Sequence, residues 1–237
     1  MNKTMLYTAV GYLAMKQGPE GQPYPVVVLN CREHMMAPVD LLLWSRLCWR
    51  FRDHAHLQQE YETAVREVPG AEELGKPQVF EDTLDRLIHR GLIAVGEGEN
   101  PVDTLYDLIS DLYVAPLDNS FGSRLALLSK LFVSRRATCA IVGNLMRKDR
   151  TTEEESRILH LARQALLSTA ELIKCDERGI QDISSSDQLL GALYYDDETT
   201  CYNISHLMRQ SPRRDAVVLA VSNLFLRKQI VFQRTCL

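Results

Sequence analysis

Two stretches far apart in the chain carry one pattern at the place where a helix hands over to a strand. Leu84-Asp-Arg-Leu87-Ile88-His-Arg90-Gly-Leu-Ile93 aligns without a gap on Val221-Ser-Asn-Leu224-Phe225-Leu-Arg227-Lys-Gln-Ile230, sharing its apolar positions and one arginine. Apolar residues three and four apart lie on one helical face. Two shorter helical stretches precede each copy, so the chain reads as a tandem arrangement. Any fold proposed for it must accommodate two helix-to-strand units of this kind.

Around the first copy, residues 4–14 and 25–31 are β-prone and flank a loop, KQGPEGQPY, rich in Gly and Pro; together they predict an N-terminal hairpin. Pro38 and Asp40 suit the first turn of a helix carrying Leu42, Leu43, Leu47 and Phe51. Helices over 55–68 and 79–90 follow, with Gly91 placed for a left-handed cap, then a strand at 92–95 and a turn at 96–101. A further short helix is expected within 102–117, and long helical stretches over 121–146 and 153–174. Thr152 and Glu155 form a capping-box pair, and the stripe Ile158, Leu159, Ala162, Ala165, Leu166, Thr169, Leu172 is read as core ahead of a dimer seam. A polar linker at 182–187, a helix at 188–195 and a loop at 196–199 lead to the second copy, in which 203–232 reads as short helix, turn, helix and strand.

Residues 203–232 resemble the winged helix-turn-helix of bacterial transcription regulators, and 38–96 resemble a more divergent copy. The resemblance implies a mainly α fold with small β-wings: two winged-helix domains joined by a central helical section. The boundaries follow as 1–117, 118–181 and 182–237. The hairpin ahead of three helices also resembles the precursor-peptide-recognition domains of peptide-modification systems, where a strand is added to the sheet edge.

Charge separates the two copies. Residues 1–118 hold 10 basic and 18 acidic side chains, whereas 201–237 hold six basic and one acidic. An electrostatic footprint for phosphates therefore lies in the last segment. In a helix-turn-helix the second helix enters the major groove with its N-terminal residues at the base edges. Carried onto this chain, that implies Ser211, Arg213, Arg214 and Asp215 at the groove, with Arg209, Arg227, Lys228 and Arg234 on the DNA backbone. The expected function is a sequence-specific, dimeric DNA-binding regulator acting on double-stranded DNA. The alternative is a protein- or peptide-binding adaptor that uses winged helices as platforms, with a partner at the acidic N-terminal domain.

Catalysis, metal and cofactor signatures are lacking. His54 and His56, two apart on a helix, point to different sides, and the six cysteines show no C-x-x-C pair. Gly96-Glu97-Gly98 reads as a wing turn, not a dinucleotide fingerprint. No apolar run approaches the roughly 20 residues of a membrane span, and the chain reads as cytoplasmic.

Overall fold

The computed structural model describes residues 3–19, 21–70, 72–117, 151–183, 185–194 and 198–234. The first half centres on β1 (Thr4–Ala9). It pairs antiparallel with β5 (Ile93–Gly98), and on its other side Tyr7 exchanges backbone hydrogen bonds with Arg52 at 2.8 and 3.1 Å. Helix α1 (Pro38–Leu47) precedes Arg52; α2 (His54–Arg66) and α3 (Pro77–His89) follow it and lead into β5. The second half repeats this order. Strand β6 (Tyr113–Pro116) is central, between β7 (Leu167–Ser168) and β8 (Ile230–Gln233), both antiparallel to it. Helix α5 (Glu153–Gln164) precedes β7, α6 (Thr169–Glu177) follows it, and α9 (Arg214–Leu226) leads into β8. Helix α4 (Pro101–Ile109) joins the halves.

Each half carries its own insertion. Between β1 and α1 lies a three-stranded sheet of β2 (Tyr12–Gln17), β3 (Pro23–Leu29) and β4 (Arg32–Met35). Between α6 and α9 lie two short helices, α7 (Ser186–Tyr194) and α8 (Ile204–Met208).

The arginine shared by the two sequence copies does the same work in both. Asp40, third residue of α1 and 3% exposed, accepts hydrogen bonds from Arg90 (3.2 Å) and Arg86 (2.5 and 3.1 Å) of the α3 end. Glu155, third residue of α5 and 1% exposed, accepts from Arg227 (2.8 Å) just past α9. In each half a buried carboxylate at the start of the first helix thus ties down the end of the third. The second helices are also started alike. Asp53, directly after Arg52, accepts from the His56 backbone N–H at 2.9 Å. Ser168, in β7, forms a reciprocal capping box with Glu171.

The halves share one core. Leu47, Leu57, Leu87 and Ile93 from the first belong to the same buried cluster as Val114, Ile173, Val221, Leu224 and Phe232 from the second. Burying each such side chain contributes roughly 1.5–3 kcal/mol of transfer free energy. Phe51 of the first half meets Phe225 at 5.3 Å between ring centroids, and Phe225 meets Phe232 at 4.5 Å.

Several expectations change. The run 4–14 is two strands, not one, because Gly11 turns the chain at φ 88°; a Cβ there would lie 2.7 Å from the Val28 carbonyl oxygen. Strand β1 leaves the expected hairpin to pair with β5, and β2 takes its place against β3. The segment Gly96–Gly98 is strand rather than turn: Cβ atoms on these two glycines would lie 2.3–2.4 Å from the backbone of α4, so their absence lets the helix lie on the strand. Residues 102–117 hold a helix and the central strand β6, and 153–174 is broken into α5, β7 and α6. The Thr152–Glu155 capping box is present, and Ile158, Leu159, Ala162 and Leu172 are core. The helical stretch expected at 121–146 and part of the loop at 196–199 lie outside the described residues. No helix among the described residues is long and apolar enough to cross a membrane.

Candidate functional site

Arg209, Arg213 and Arg214 come together around the start of α9, but they meet carboxylates, most of them brought from elsewhere. Arg209 reaches Asp107 of α4 at 2.6 Å, and Arg214 reaches Asp103 of α4 at 2.9 Å and its neighbour Asp215 at 2.8 Å. The Tyr106 ring lies between them, with the two guanidinium carbons 5.4 and 5.6 Å from its centroid. Burial pushes the Tyr106 phenol upward in pKa, and its hydroxyl donates to the Ser205 carbonyl. Arg213 contacts Asp176 of α6 and Glu154 of α5, the latter at 3.4 Å. Ser211 donates to Glu177 at 3.0 Å and accepts from the Arg213 backbone N–H. Arg227 is taken by Glu155.

With Arg157 of α5, which also pairs with Glu154 and Asp176, five guanidiniums therefore face six carboxylates: Asp103, Asp107, Glu154, Glu155, Asp176 and Asp215. The positive balance of 201–237 exists along the chain and is compensated in space. The remaining two cations are placed differently. Lys228, at φ 61°, sits 5.6 Å over the Trp49 ring. Arg234 is half-buried beyond β8, and desolvation lowers its pKa. The face of α9 turned to solvent consists of Asp215, Ala216, Leu219, Asn223 and Leu226, with no cation between Asp215 and Leu226.

A second surface lies on the inserted sheet, in the N-terminal region whose hairpin resembles a strand-accepting domain. The inserted sheet has two edges, and they are treated differently. In the β2–β3 ladder the Gly18 N–H bonds the Gln22 carbonyl at 2.8 Å, and the pairs Lys16–Tyr24, Ala14–Val26 and Tyr12–Val28 continue that register. Antiparallel pairs alternate between bonded and non-bonded. The even-numbered residues of β2 thus bond to β3, and Leu13, Met15 and Gln17 turn their N–H and C=O groups outward. Pro23 and Pro25, which have no N–H, stand opposite Gln17 and Met15, where no bond to β2 is made. No other described backbone group pairs with residues 12–17 outside this ladder. The side chains along this edge are open as well: Tyr12, Leu13 and Met15 are 41%, 49% and 60% exposed.

The opposite edge, β4, is charged at Arg32 and Glu33, and the Met35 carbonyl accepts from Arg90 Nη2 at 2.8 Å. Charge and a capping contact are ordinary ways of guarding a sheet edge. Strand β2 has only Lys16, already paired with Glu33 at 2.5 Å.

Beside the start of β2 lies a pocket of about 420 Å³, lined by Leu13, Trp44, Cys48, Trp49, Phe225 and Val231 among others. Its aromatic walls are fixed. Trp44 Nε1 donates to the carbonyls of Val10 and Leu92 at 3.3 and 3.1 Å, and Trp49 Nε1 to that of Ile230 at 3.2 Å. Both halves and the inserted sheet contribute to this wall, with the Gly11 N–H bonded to the Phe232 carbonyl at 2.7 Å. The open edge and the pocket are contiguous at Leu13.

No metal-ligand cluster occurs among the described residues. His54 contacts Glu81 at 3.0 Å and His56 contacts Asp53 at 2.6 Å, on separate sides of α2. Comparison with known proteins found no matching family model, no matching curated protein and no matching solved structure.

Proposed function

We propose that the chain is a peptide-binding adaptor. Its two halves are winged-helix units, as their shared order of central strand, helix, bridging strand, two helices and outer strand suggests, and they support a sheet whose β2 edge accepts an extended segment of a partner protein. The observation that carries this reading is the open ladder of Leu13, Met15 and Gln17 running into a rigid apolar pocket. Main-chain hydrogen bonds along an edge supply affinity, and a pocket beside it selects a side chain. The partner segment is accordingly extended and free of proline at its bonded positions. It carries apolar side chains at alternate residues, one of them large enough to fill the space between Trp44, Trp49 and Phe225.

DNA reading by α9 draws less support from the same geometry. Phosphates would have to displace carboxylates from Arg209, Arg213, Arg214 and Arg227, and base-edge contacts come from polar or basic side chains on the groove-facing helix surface. The solvent face of α9 offers no cation between Asp215 and Leu226, and Leu219 and Leu226 flank its one amide, Asn223.

Selection from a displayed random-peptide library and from a random DNA pool, both against the full chain, tests the proposal. Enrichment of alternating apolar peptides, lost in Met15→Pro, is the expected result. That substitution removes an outward N–H while leaving the bonds of β2 to β3. Enrichment of a DNA sequence that Arg213→Ala and Arg214→Ala abolish, with no peptide enriched, would overturn the proposal in favour of a regulator.

A further inference from the structure

We propose that the partner segment docks antiparallel to β2, with a hydrocarbon side chain at the residue that pairs with Leu13. This geometry rests on the peptide-binding reading and gives that segment an orientation, a register and an anchor.

Residues directly opposed in a ladder project their side chains to the same face. Leu13 stands opposite Val27, which is fully buried in the shared core, so Leu13, Met15 and Gln17 lie on the core-facing side of the inserted sheet. A residue added opposite Leu13 projects to that side too, where the pocket opens beside it. The donors of the pocket wall are already engaged. Besides the two indoles, Ser45 Oγ donates to the Leu42 carbonyl at 2.8 Å and Cys48 Sγ to the Trp44 carbonyl at 3.7 Å. A hydroxyl or a charge placed there would lose its water without gaining a partner. The anchor is therefore a side chain such as that of phenylalanine or leucine.

Orientation follows from the room at the pocket end of the edge. In an antiparallel segment the residue opposite Leu13 exchanges both of its bonds with Leu13, and the same holds at Met15 and Gln17. Residues opposite 13–17 then suffice, and the bonded residues are the ones whose side chains face the pocket side. In a parallel segment the bonds of Leu13 run to the residues before and after the opposed one, so a bonded residue must also stand opposite Tyr12. Strand β8 already lies next to that place, because the Gly11 N–H donates to the Phe232 carbonyl at 2.7 Å. The β2–β3 and β3–β4 ladders are both antiparallel, and an antiparallel addition keeps the sheet of one kind.

Two acetylated, amidated peptides, titrated into the full chain, test the docking. Tryptophan fluorescence follows binding, since both tryptophans of the chain line the pocket. The first peptide, Ser-Thr-Thr-Ile-Thr-Phe-Ser, sets Phe opposite Leu13 and Ile opposite Met15 when antiparallel. The second is its reversal, which does so only when parallel. The first should bind about tenfold more tightly than the second. N-methylation of its Phe or its Ile should weaken it about tenfold or more, since each loses a bond and turns a methyl group onto the edge. N-methylation of the Thr between them should leave binding unchanged, and Asp in place of Phe should abolish it. Tighter binding of the reversal, or sensitivity at that Thr in place of Phe and Ile, would overturn the docking and leave the adaptor reading standing. So would undiminished binding of the Asp variant. Binding of neither peptide, or binding that Met15→Pro leaves unchanged, would overturn the adaptor reading and the docking with it.

Discussion

Replacing Arg227 with methionine separates a structural arginine from a nucleic-acid contact. Glu155 is buried, and its Oε2 accepts from Arg227 at 2.8 Å and from the Thr152 backbone N–H at 2.9 Å. Removing one partner of a fully buried ion pair costs about 3–5 kcal/mol, because the other charge is left desolvated. The Arg227 side chain is 38% exposed, so water screens part of that loss. A cost of about 2 kcal/mol remains, equivalent to a fall of about 4–8 °C in Tm for a chain of this size. Urea unfolding followed by circular dichroism measures it. Glu155→Gln keeps the reciprocal cap and removes the charge, so the double variant should regain most of the loss. A single-variant cost below about 0.5 kcal/mol, the range of ordinary surface positions, would refute the lock and restore Arg227 as a free contact.

Two further outcomes follow from local geometry. The His56 backbone N–H beside Asp53 holds its carboxyl below the usual range, so this cap contributes stability above the unfolded pKa near 3.8 and loses it as pH falls through the folded value. Asp53→Ala should therefore cost about 0.5–1 kcal/mol in urea melts at neutral pH, with the gap to wild type closing in acid. Burial pushes the Cys48 and Cys175 thiols up to about 12, whereas Cys31 and Cys201 lie at the surface. Peptide mapping after iodoacetamide treatment of the folded chain at mildly alkaline pH should find Cys31 and Cys201 labelled and Cys48 and Cys175 protected.

What the sequence disclosed was what short range determines. The helix-to-strand pattern, the Pro38 start and the Thr152–Glu155 cap depend on residues within a turn or two of each other, and the structure contains all three. The repeated arginine was visible too, though not its reason: its carboxylate partner lies 50 residues away for Arg90 and 72 for Arg227. Long-range pairing hid the rest. Strand β1 cannot be assigned to β5 from its own residues, and the turn at Gly11 lies inside a β-prone run. The charge count for 201–237 was correct along the chain. The carboxylates that meet Arg209 and Arg213 arrive from 102 and 37 residues away. For the β2 edge the sequence offers only the resemblance of the N-terminal hairpin to strand-accepting domains, since openness is a property of what fails to pack beside a strand.

The most direct test of the adaptor is amide hydrogen exchange, resolved by NMR, at the individual residues of β2. In the free chain Ala14 and Lys16 should be protected by β3, while Leu13, Met15 and Gln17 exchange rapidly. A bound peptide should slow Leu13, Met15 and Gln17 selectively and shift the indole resonances of Trp44 and Trp49. Unchanged exchange at these three amides under saturating peptide, with protection appearing at the start of α9 instead, would contradict the account.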